Sequence, residues 1–326
     1  MADHKILEKE DSPSATCGKE DVHQGSGISG VLDSPQIALK ISNELLIDPN
    51  HLTIGSMISE GLYSIVHEGC YNSEPVAVKV IKPGKSADIG IKMFEREVMI
   101  LSRLKHENVV KFIGAAVEPS LLVLTELVKG SNLQKHLWSL RPNRLDLKLS
   151  LSLALDISRV MEYLHGNGII HRDLKPGNIL LTEDKSMIKL AEFGLANEGN
   201  EDWVTTSEVG TYRWMAPELF NITEHISGGT KKPFTRKVDV YSFSIILWEL
   251  LTNNTPFKGR NNVMVAYAVA SNQRPSLDNI PPEIVPLLKN CWAPDPNDRP
   301  EFEQITEFLS ALIANTASVE KAPSVP

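Results

Sequence analysis

The sequence has few cysteines, no long apolar run and no excess of positive charge. Its three cysteines, in 326 residues, have no pair spacing, so neither a disulfide framework nor a zinc site is predicted. The longest apolar candidate, Leu121–Val128, is interrupted by Thr125 and Glu126 and is far shorter than the ~20 residues that cross a bilayer. A formal net charge of −8 argues against binding nucleic acid through a basic field.

Targeting features are also missing from the first residues. No apolar h-region follows Met1, and the second residue is Ala2 instead of the glycine that N-myristoylation requires. The scarcity of cysteine favours a reducing compartment. The expected location is therefore the cytoplasm, with access to the nucleus left open.

Composition divides the chain into a polar start and a globular body. Residues 1–45 have few aromatic residues and no sustained period of 2 or 3.6, which predicts a disordered extension. From Leu52 onward, apolar runs predict strands and apolar residues at helical spacing predict helices. The last predicted helix is Phe302–Ala314, and residues 316–326 are expected to be a free tail.

The most specific stretch is His171–Asn178, with the sequence H-R-D-L-K-P-G-N. Pro176 and Gly177 disfavour a helix, so an acid, a base and an amide lie at fixed offsets on a loop. This loop resembles the catalytic loop of protein kinases, whose signature is H-R-D-L, three residues, N. The resemblance implies that Asp173 accepts the proton of a substrate hydroxyl and that Asn178 holds a magnesium ion.

A lysine lies within a strand that is expected to be buried. The run Val76–Ile81 is apolar apart from Lys79, and a buried ammonium is costly unless it is paired. The run matches the V-A-x-K pattern of the third strand of protein kinases. By this resemblance, Lys79 contacts the α and β phosphates of ATP and a glutamate of the next helix.

That helix is predicted between about residues 90 and 104. Phe94, Val98 and Leu101 recur at i, i+4 and i+7 and give the helix one apolar face. Glu97 matches the family position for the partner of the lysine. Glu95 is the other candidate partner for Lys79, but its side chain points about 200° around the helix from that of Glu97.

The glycine-rich loop lies before the strand that contains Lys79, and it departs from the family pattern G-x-G-x-x-G-x-V. Alignment on Val66 leaves only Gly61 of the three glycines, because Ser59 and Ser64 replace the other two. A serine that must adopt the left-handed region is strained by roughly 1–2 kcal/mol. We expect weaker or slower handling of the nucleotide as a result.

The resemblance also implies an adenine pocket. Thr125 is expected at its back, and the backbone from Glu126 to Val128 is expected to be the hinge that hydrogen-bonds adenine. The residues assigned to the nucleotide by the resemblance are Ile58, Ser59, Gly61, Ser64, Val66, Ala77, Lys79, Thr125, Glu126 and Val128.

The metal site departs from the family by one methylene. The family motif is D-F-G, whose Asp ligates magnesium, whereas this chain has Glu192-Phe193-Gly194. Magnesium demands near-octahedral oxygens at ~2.0–2.1 Å, and a misplacement of about 1 Å can cost on the order of 10²-fold in rate. Asn178 and Glu192 are the expected ligands of Mg²⁺, with Mn²⁺ as an alternative metal.

The stretch from residue 192 to residue 218 resembles an activation segment that ends in the family's A-P-E. Arg172 is expected to pair with a phosphate in its middle, since a phosphate opposite arginine can order a loop. By resemblance, Glu218 pairs with Arg299, and Asp239 is a buried carboxylate that anchors the catalytic loop. The candidate phosphorylation sites are Thr205, Thr206 and Ser207.

The resemblance covers roughly residues 52–315, with the motifs in order. Lys175 is typical of serine/threonine kinases, while G-T-Y-R-W-M-A-P-E and V-D-V-Y-S-F resemble the tyrosine-kinase-like branch. Within that branch, the chain is most similar to plant Raf-like mitogen-activated protein kinase kinase kinases. The implied fold is α+β and bilobal, with a small lobe and hinge at 52–128 and a larger helical lobe at 129–315.

The implied activity is transfer of the ATP γ-phosphoryl group to Ser or Thr hydroxyls of protein substrates, downstream kinases among them. The alternative is a catalytically impaired pseudokinase that acts as a signalling scaffold, which Glu192 and the altered loop favour. The sequence predicts neither the substrate nor the upstream activator nor the oligomeric state. The residues to which catalysis is assigned are Asp173, Lys175, Lys79 and Glu97.

Overall fold

The computed structural model describes residues 41–83, 87–198, 212–220 and 235–320. The first lobe is a five-stranded antiparallel sheet with strand order β1-β2-β3-β5-β4 and one helix, α1, between β3 and β4. The elements are β1 (Leu52–Glu60), β2 (Ser64–Tyr71), β3 (Glu74–Ile81), α1 (Ala87–Leu101), β4 (Phe112–Ala116) and β5 (Leu122–Glu126).

The apolar face predicted for α1 is confirmed. Phe94, Val98 and Leu101 are all buried against the core. The helix ends at Leu101, before the predicted residue 104, because the N–H groups of Arg103 and Leu104 donate three residues back, to the Ile100 and Leu101 carbonyls, in place of the four-residue helical pattern.

In the described part of the second lobe, the strands form one short hairpin and the other main elements are helices. Helix α3 starts at the cap Asp146, whose side chain accepts from the Leu149 N–H, and ends before Gly168, which has φ +74°. Helix α4 is buried on all sides, so it forms the centre of this lobe. The elements are α2 (Leu133–Leu140), α3 (Leu147–Gly166), β6 (Ile179–Leu181), β7 (Ile188–Leu190), α4 (Lys237–Thr252), α5 (Asn262–Ala270), α6 (Val285–Cys291) and α7 (Phe302–Glu320).

The predicted α+β bilobal fold is confirmed, but packing starts earlier than the boundary drawn at residue 45. Ile41 and Leu45 pack against the core, and the Ile47 N–H donates to the Ala115 carbonyl at 2.8 Å beside β4. These contacts join segments that are far apart in sequence, so the periodicity of residues 41–47 could not predict them. Residues 1–40 of the predicted extension lie outside the described residues.

The other end of the globular body also differs from the prediction. Helix α7 continues to Glu320 instead of ending near Ala314, so the first part of the predicted tail is helical. Residues 321–326 lie outside the described residues, as do the candidate phosphorylation sites Thr205, Thr206 and Ser207. Among the helices that are described, none combines the length and apolar composition needed to cross a membrane.

The expected pair between Glu218 and Arg299 is present and ties the residue 212–220 segment to the second lobe. Arg299 is fully buried, and its two terminal nitrogens donate to the two Glu218 oxygens at 2.6 and 2.9 Å. It also donates to the carbonyls of Ala293 and Lys237. A bidentate pair of this kind fixes geometry as well as charge.

Substitution Glu218→Gln is expected to lower the free energy of unfolding by about 2–3 kcal/mol, because it leaves the buried Arg299 without a counter-charge. The partial exposure of Glu218 makes this cost smaller than that of breaking a fully buried pair. Urea denaturation measures the change. The exposed Glu283, changed to Gln, is the matched control and should leave stability unaltered. Equal stabilities for the two variants would contradict a structural role for this pair.

Candidate active site

Two glutamates share one buried lysine at the junction of the lobes. Lys79 of β3 has its Nζ 2.6 Å from Glu97 Oε2 on α1 and 2.7 Å from Glu192 Oε2. Lys79 and Glu97 are buried, whereas the Glu192 side chain is 39% exposed. The contact expected between Lys79 and Glu97 is therefore present. The second contact was not predicted, because 113 residues separate Lys79 from Glu192 and no local pattern links them.

The charges of these three groups depend on one another. Burial by itself lowers the pKa of Lys79, but the carboxylates of Glu192 and Glu97 more than offset it and raise the pKa above the ordinary value. Burial raises the pKa of Glu97, and Lys79 offsets this only partly. Desolvation also acts to raise the pKa of Glu192, but Lys79 outweighs it and the pKa is lowered. Lys79 is therefore a fixed positive charge.

Asp173 is held from two sides within the loop predicted to be catalytic. Its Oδ2 accepts from Lys175 Nζ at 2.7 Å and from Asn178 Nδ2 at 2.8 Å. Asn178 Nδ2 also donates to the Asp173 carbonyl at 2.8 Å, which closes the loop on itself. The carboxylate thus has a defined orientation before any substrate is considered.

The same loop is anchored from below by a buried carboxylate on α4. Asp239 accepts the N–H groups of His171 and Arg172, each at 2.8 Å, and contacts His165 Nε2 at 2.9 Å. Burial acts to raise the pKa of Asp239, but the hydrogen bond and charge of His165 outweigh it and the pKa is lowered. Arg172 has φ +66°, and the bond from its N–H to Asp239 helps to hold this strained backbone.

Glu192 also has an unusual backbone conformation, with φ +67°. Side chains in the left-handed region cost roughly 1–2 kcal/mol, and Asp and Asn adopt it several-fold more readily than other residues do. An aspartate would suit this conformation better than the glutamate that is present. The sequence showed that Glu192 is one methylene longer than the aspartate of the family, but it gave no signal of the positive φ at this residue.

A cavity of about 230 Å³ lies between the glycine-rich loop and the catalytic loop. It is smaller than the roughly 300–1,000 Å³ of ordinary ligand pockets. The predicted site residues that line it are Ser59, Gly61, Ser64, Val66, Lys79, Glu97, Asp173, Lys175, Asn178 and Glu192.

The other residues assigned to the nucleotide, Ile58, Ala77, Thr125, Glu126 and Val128, do not line this cavity. Ala77 and Thr125 are paired neighbours on β3 and β5. The Glu126 N–H donates to the Lys111 carbonyl at 2.9 Å, so this N–H is already engaged within the small lobe. The roles expected for Ile58 and Val128 remain predictions.

The oxygen donors at the cavity fit a hard divalent cation. Magnesium is usually bound by one or two protein carboxylates together with substrate phosphates. Glu192 supplies a carboxylate, and the Asn178 amide oxygen is left for a cation because its nitrogen donates to Asp173. Within the described residues no group of three or more His, Cys, Asp or Glu side chains forms a complete metal site, so the remaining ligands would come from the nucleotide.

A family model for protein tyrosine and serine/threonine kinases matches residues 52–309. The chain belongs to the protein kinase family. The kinase is 41% identical over 273 residues to the serine/threonine/tyrosine-protein kinase HT1 of Arabidopsis thaliana, covering 82% of this chain and 67% of that protein.

Two other relatives from Arabidopsis thaliana are longer than this kinase. It is 38% identical over 283 residues to the serine/threonine-protein kinase STY17, covering 86% of this chain and 48% of STY17. It is also 38% identical over 269 residues to the serine/threonine-protein kinase STY46, covering 82% of this chain and 45% of STY46. The kinase thus spans about half the length of these two proteins. The predicted membership of the Raf-like group within the tyrosine-kinase-like branch is confirmed.

Proposed function

We propose that this chain is a serine/threonine protein kinase that transfers the γ-phosphoryl group of ATP to hydroxyls of protein substrates. The observation that carries the proposal is the convergence of Asp173, Lys79 and Glu192 on one cavity. Its relatives include proteins named as serine/threonine kinases, which supports the choice of reaction. Asp173, Lys79, Glu97 and Asn178 are all retained, so the non-catalytic scaffold is not favoured.

The charged and amide residues predicted for the site each have a part in the proposed reaction. Asp173 orients the substrate hydroxyl and accepts its proton, while Lys175, 2.7 Å from that carboxylate, offsets negative charge near the group in transfer. Lys79 binds phosphate, and Glu97 holds the ammonium in position. Asn178 and Glu192 would hold a divalent cation, which would supply positive charge beside the phosphates of ATP. We propose Mg²⁺ as this cation, with Mn²⁺ as the alternative.

Glu192 makes the proposed enzyme slow, not inactive. Its Oε2 is already 2.7 Å from Lys79, so binding of the cation competes with this ion pair. Because phosphoryl transfer depends mostly on positioning and charge neutralisation, a carboxylate in the wrong place costs rate.

We propose that the kinase acts in a signalling cascade on substrates that include downstream kinases, and that it resides in the cytoplasm with access to the nucleus left open. Similarity to plant Raf-like kinases supports the cascade. The scarcity of cysteine supports a reducing compartment. Identifying the proteins that the purified chain phosphorylates in a cytosolic extract would test the cascade, and detecting the protein in separated cytosolic and nuclear fractions would test the location.

Phosphoamino-acid analysis tests the proposed reaction. The purified protein is incubated with γ-labelled ATP and a generic protein substrate, in Mg²⁺ or in Mn²⁺, and the labelled proteins are hydrolysed in acid. We expect phosphoserine and phosphothreonine. Phosphotyrosine alone would replace the proposal with a tyrosine kinase, and no label from folded protein in either metal would favour the scaffold.

A further inference from the structure

One lysine connects the glycine-rich loop to the sheet beneath it. Lys82, the residue directly after β3, donates from its Nζ to Glu60 Oε1 at 2.5 Å and to the Gly61 carbonyl at 2.8 Å. Its backbone N–H donates to the Tyr63 carbonyl at 2.8 Å. A single residue therefore contacts the start, the middle and the far side of the loop.

The Glu60 carboxylate creates a problem that this contact relieves. Ser59, Glu60 and Gly61 line the same cavity as Lys79 and Asp173, so a negative charge sits beside the space assigned to the phosphates of ATP. An unpaired carboxylate there would repel the phosphates. The hydrogen bond and the charge of Lys82 lower the pKa of Glu60.

The backbone contacts of Lys82 also determine which loop atoms can face a phosphate. The Gly61 carbonyl is engaged by the Lys82 ammonium, and the Gly61 N–H donates to the Ser64 carbonyl at 2.8 Å. The Gly61 N–H is therefore not available to donate to an anion, and the Gly61 carbonyl, an acceptor that would repel a phosphate, is bound to the Lys82 ammonium instead. Gly61 is also the one family glycine kept here, and neither it nor Ser59 or Ser64 has a positive φ.

We propose that Lys82 is a positioning residue for ATP, which neutralises Glu60 and fixes the glycine-rich loop over the phosphate part of the cavity. The inference rests on the proposed function in one respect, namely that ATP is the ligand of the cavity. It concerns binding and does not require that phosphoryl transfer occurs.

The test is ATP affinity, measured by isothermal titration calorimetry in the presence of Mg²⁺. The proteins compared are the wild type, two single variants, Lys82→Met and Lys82→Arg, and a double variant that combines Lys82→Met with Glu60→Gln. Loss of an exposed ion pair predicts that Lys82→Met weakens ATP binding about five-fold. The double variant should recover part of this loss, because it removes the uncompensated carboxylate. Lys82→Arg should keep the affinity, and added salt should reduce the difference between wild type and Lys82→Met.

Lys92→Met is the matched control, since Lys92 is exposed on α1 and lies away from the cavity lining. Thermal unfolding of each variant separates a lost contact from a lost fold. Equal ATP affinity of wild type and Lys82→Met, or no recovery in the double variant, would overturn the inference. Wild-type protein that binds ATP without transferring phosphate would overturn the proposed function alone, whereas no ATP binding would overturn both.

Discussion

Replacement of Asp173 by Asn is expected to lower kcat for phosphoryl transfer by about 10²- to 10⁴-fold, the usual contribution of a general base. The two side chains have the same shape, but the amide cannot accept the proton of the substrate hydroxyl. Lys175 and Asn178, which now contact the carboxylate, would lose a charged partner. ATP affinity should stay within about two-fold, because a group needed only in the transition state changes kcat and not binding.

The control for this variant is Asp184→Asn, the same substitution in the exposed turn between β6 and β7. Asp184 accepts from Ser186 and Thr182, and an asparagine can accept similar bonds. Its rate should match that of the wild type. A rate for Asp173→Asn close to that of this control would remove Asp173 from the catalytic residues.

Glu192→Asp is expected to raise the rate of transfer, by up to about 10²-fold, because it restores the reach that near-octahedral magnesium coordination requires. Two structural features support the direction. The backbone φ of +67° suits aspartate better than glutamate, and the shorter side chain weakens the contact with Lys79 that competes with the cation. The variant should also need less Mg²⁺ for half-maximal rate.

Glu198→Asp makes the same change six residues further along, where the side chain is exposed and pairs with Arg103. It should leave both the rate and the Mg²⁺ requirement unchanged. An unchanged or lower rate in Glu192→Asp, with the fold intact, would mean that the chain has adapted to its glutamate and that the extra methylene is not the source of slow transfer.

Sequence reasoning worked best where a contact follows from local geometry. Lys79 and Glu97 lie 18 residues apart on a strand and the next helix, and the spacing of the apolar residues orients that helix, so their contact could be expected. Asp173 and Asn178 are on one short loop, and five residues fix their proximity. In both cases the spacing of residues in a local segment is enough to predict which side chains meet.

Contacts between distant segments could not be predicted in this way. The second partner of Lys79, the hydrogen bond from the Ile47 N–H to the Ala115 carbonyl and the contacts of Lys82 with the glycine-rich loop all depend on how distant segments meet after folding. The positive φ of Glu192 is likewise set by tertiary structure, since glutamate has no preference for that conformation.

The most direct test of kinase activity in this chain is the initial rate of γ-phosphate transfer by the wild-type protein at saturating ATP, compared with the Asp173→Asn background in Mg²⁺ and in Mn²⁺. Slow but measurable transfer, lost in Asp173→Asn, is the expected result. Folded wild-type protein that binds ATP and yet transfers no phosphate above that background in either metal would contradict the proposed function.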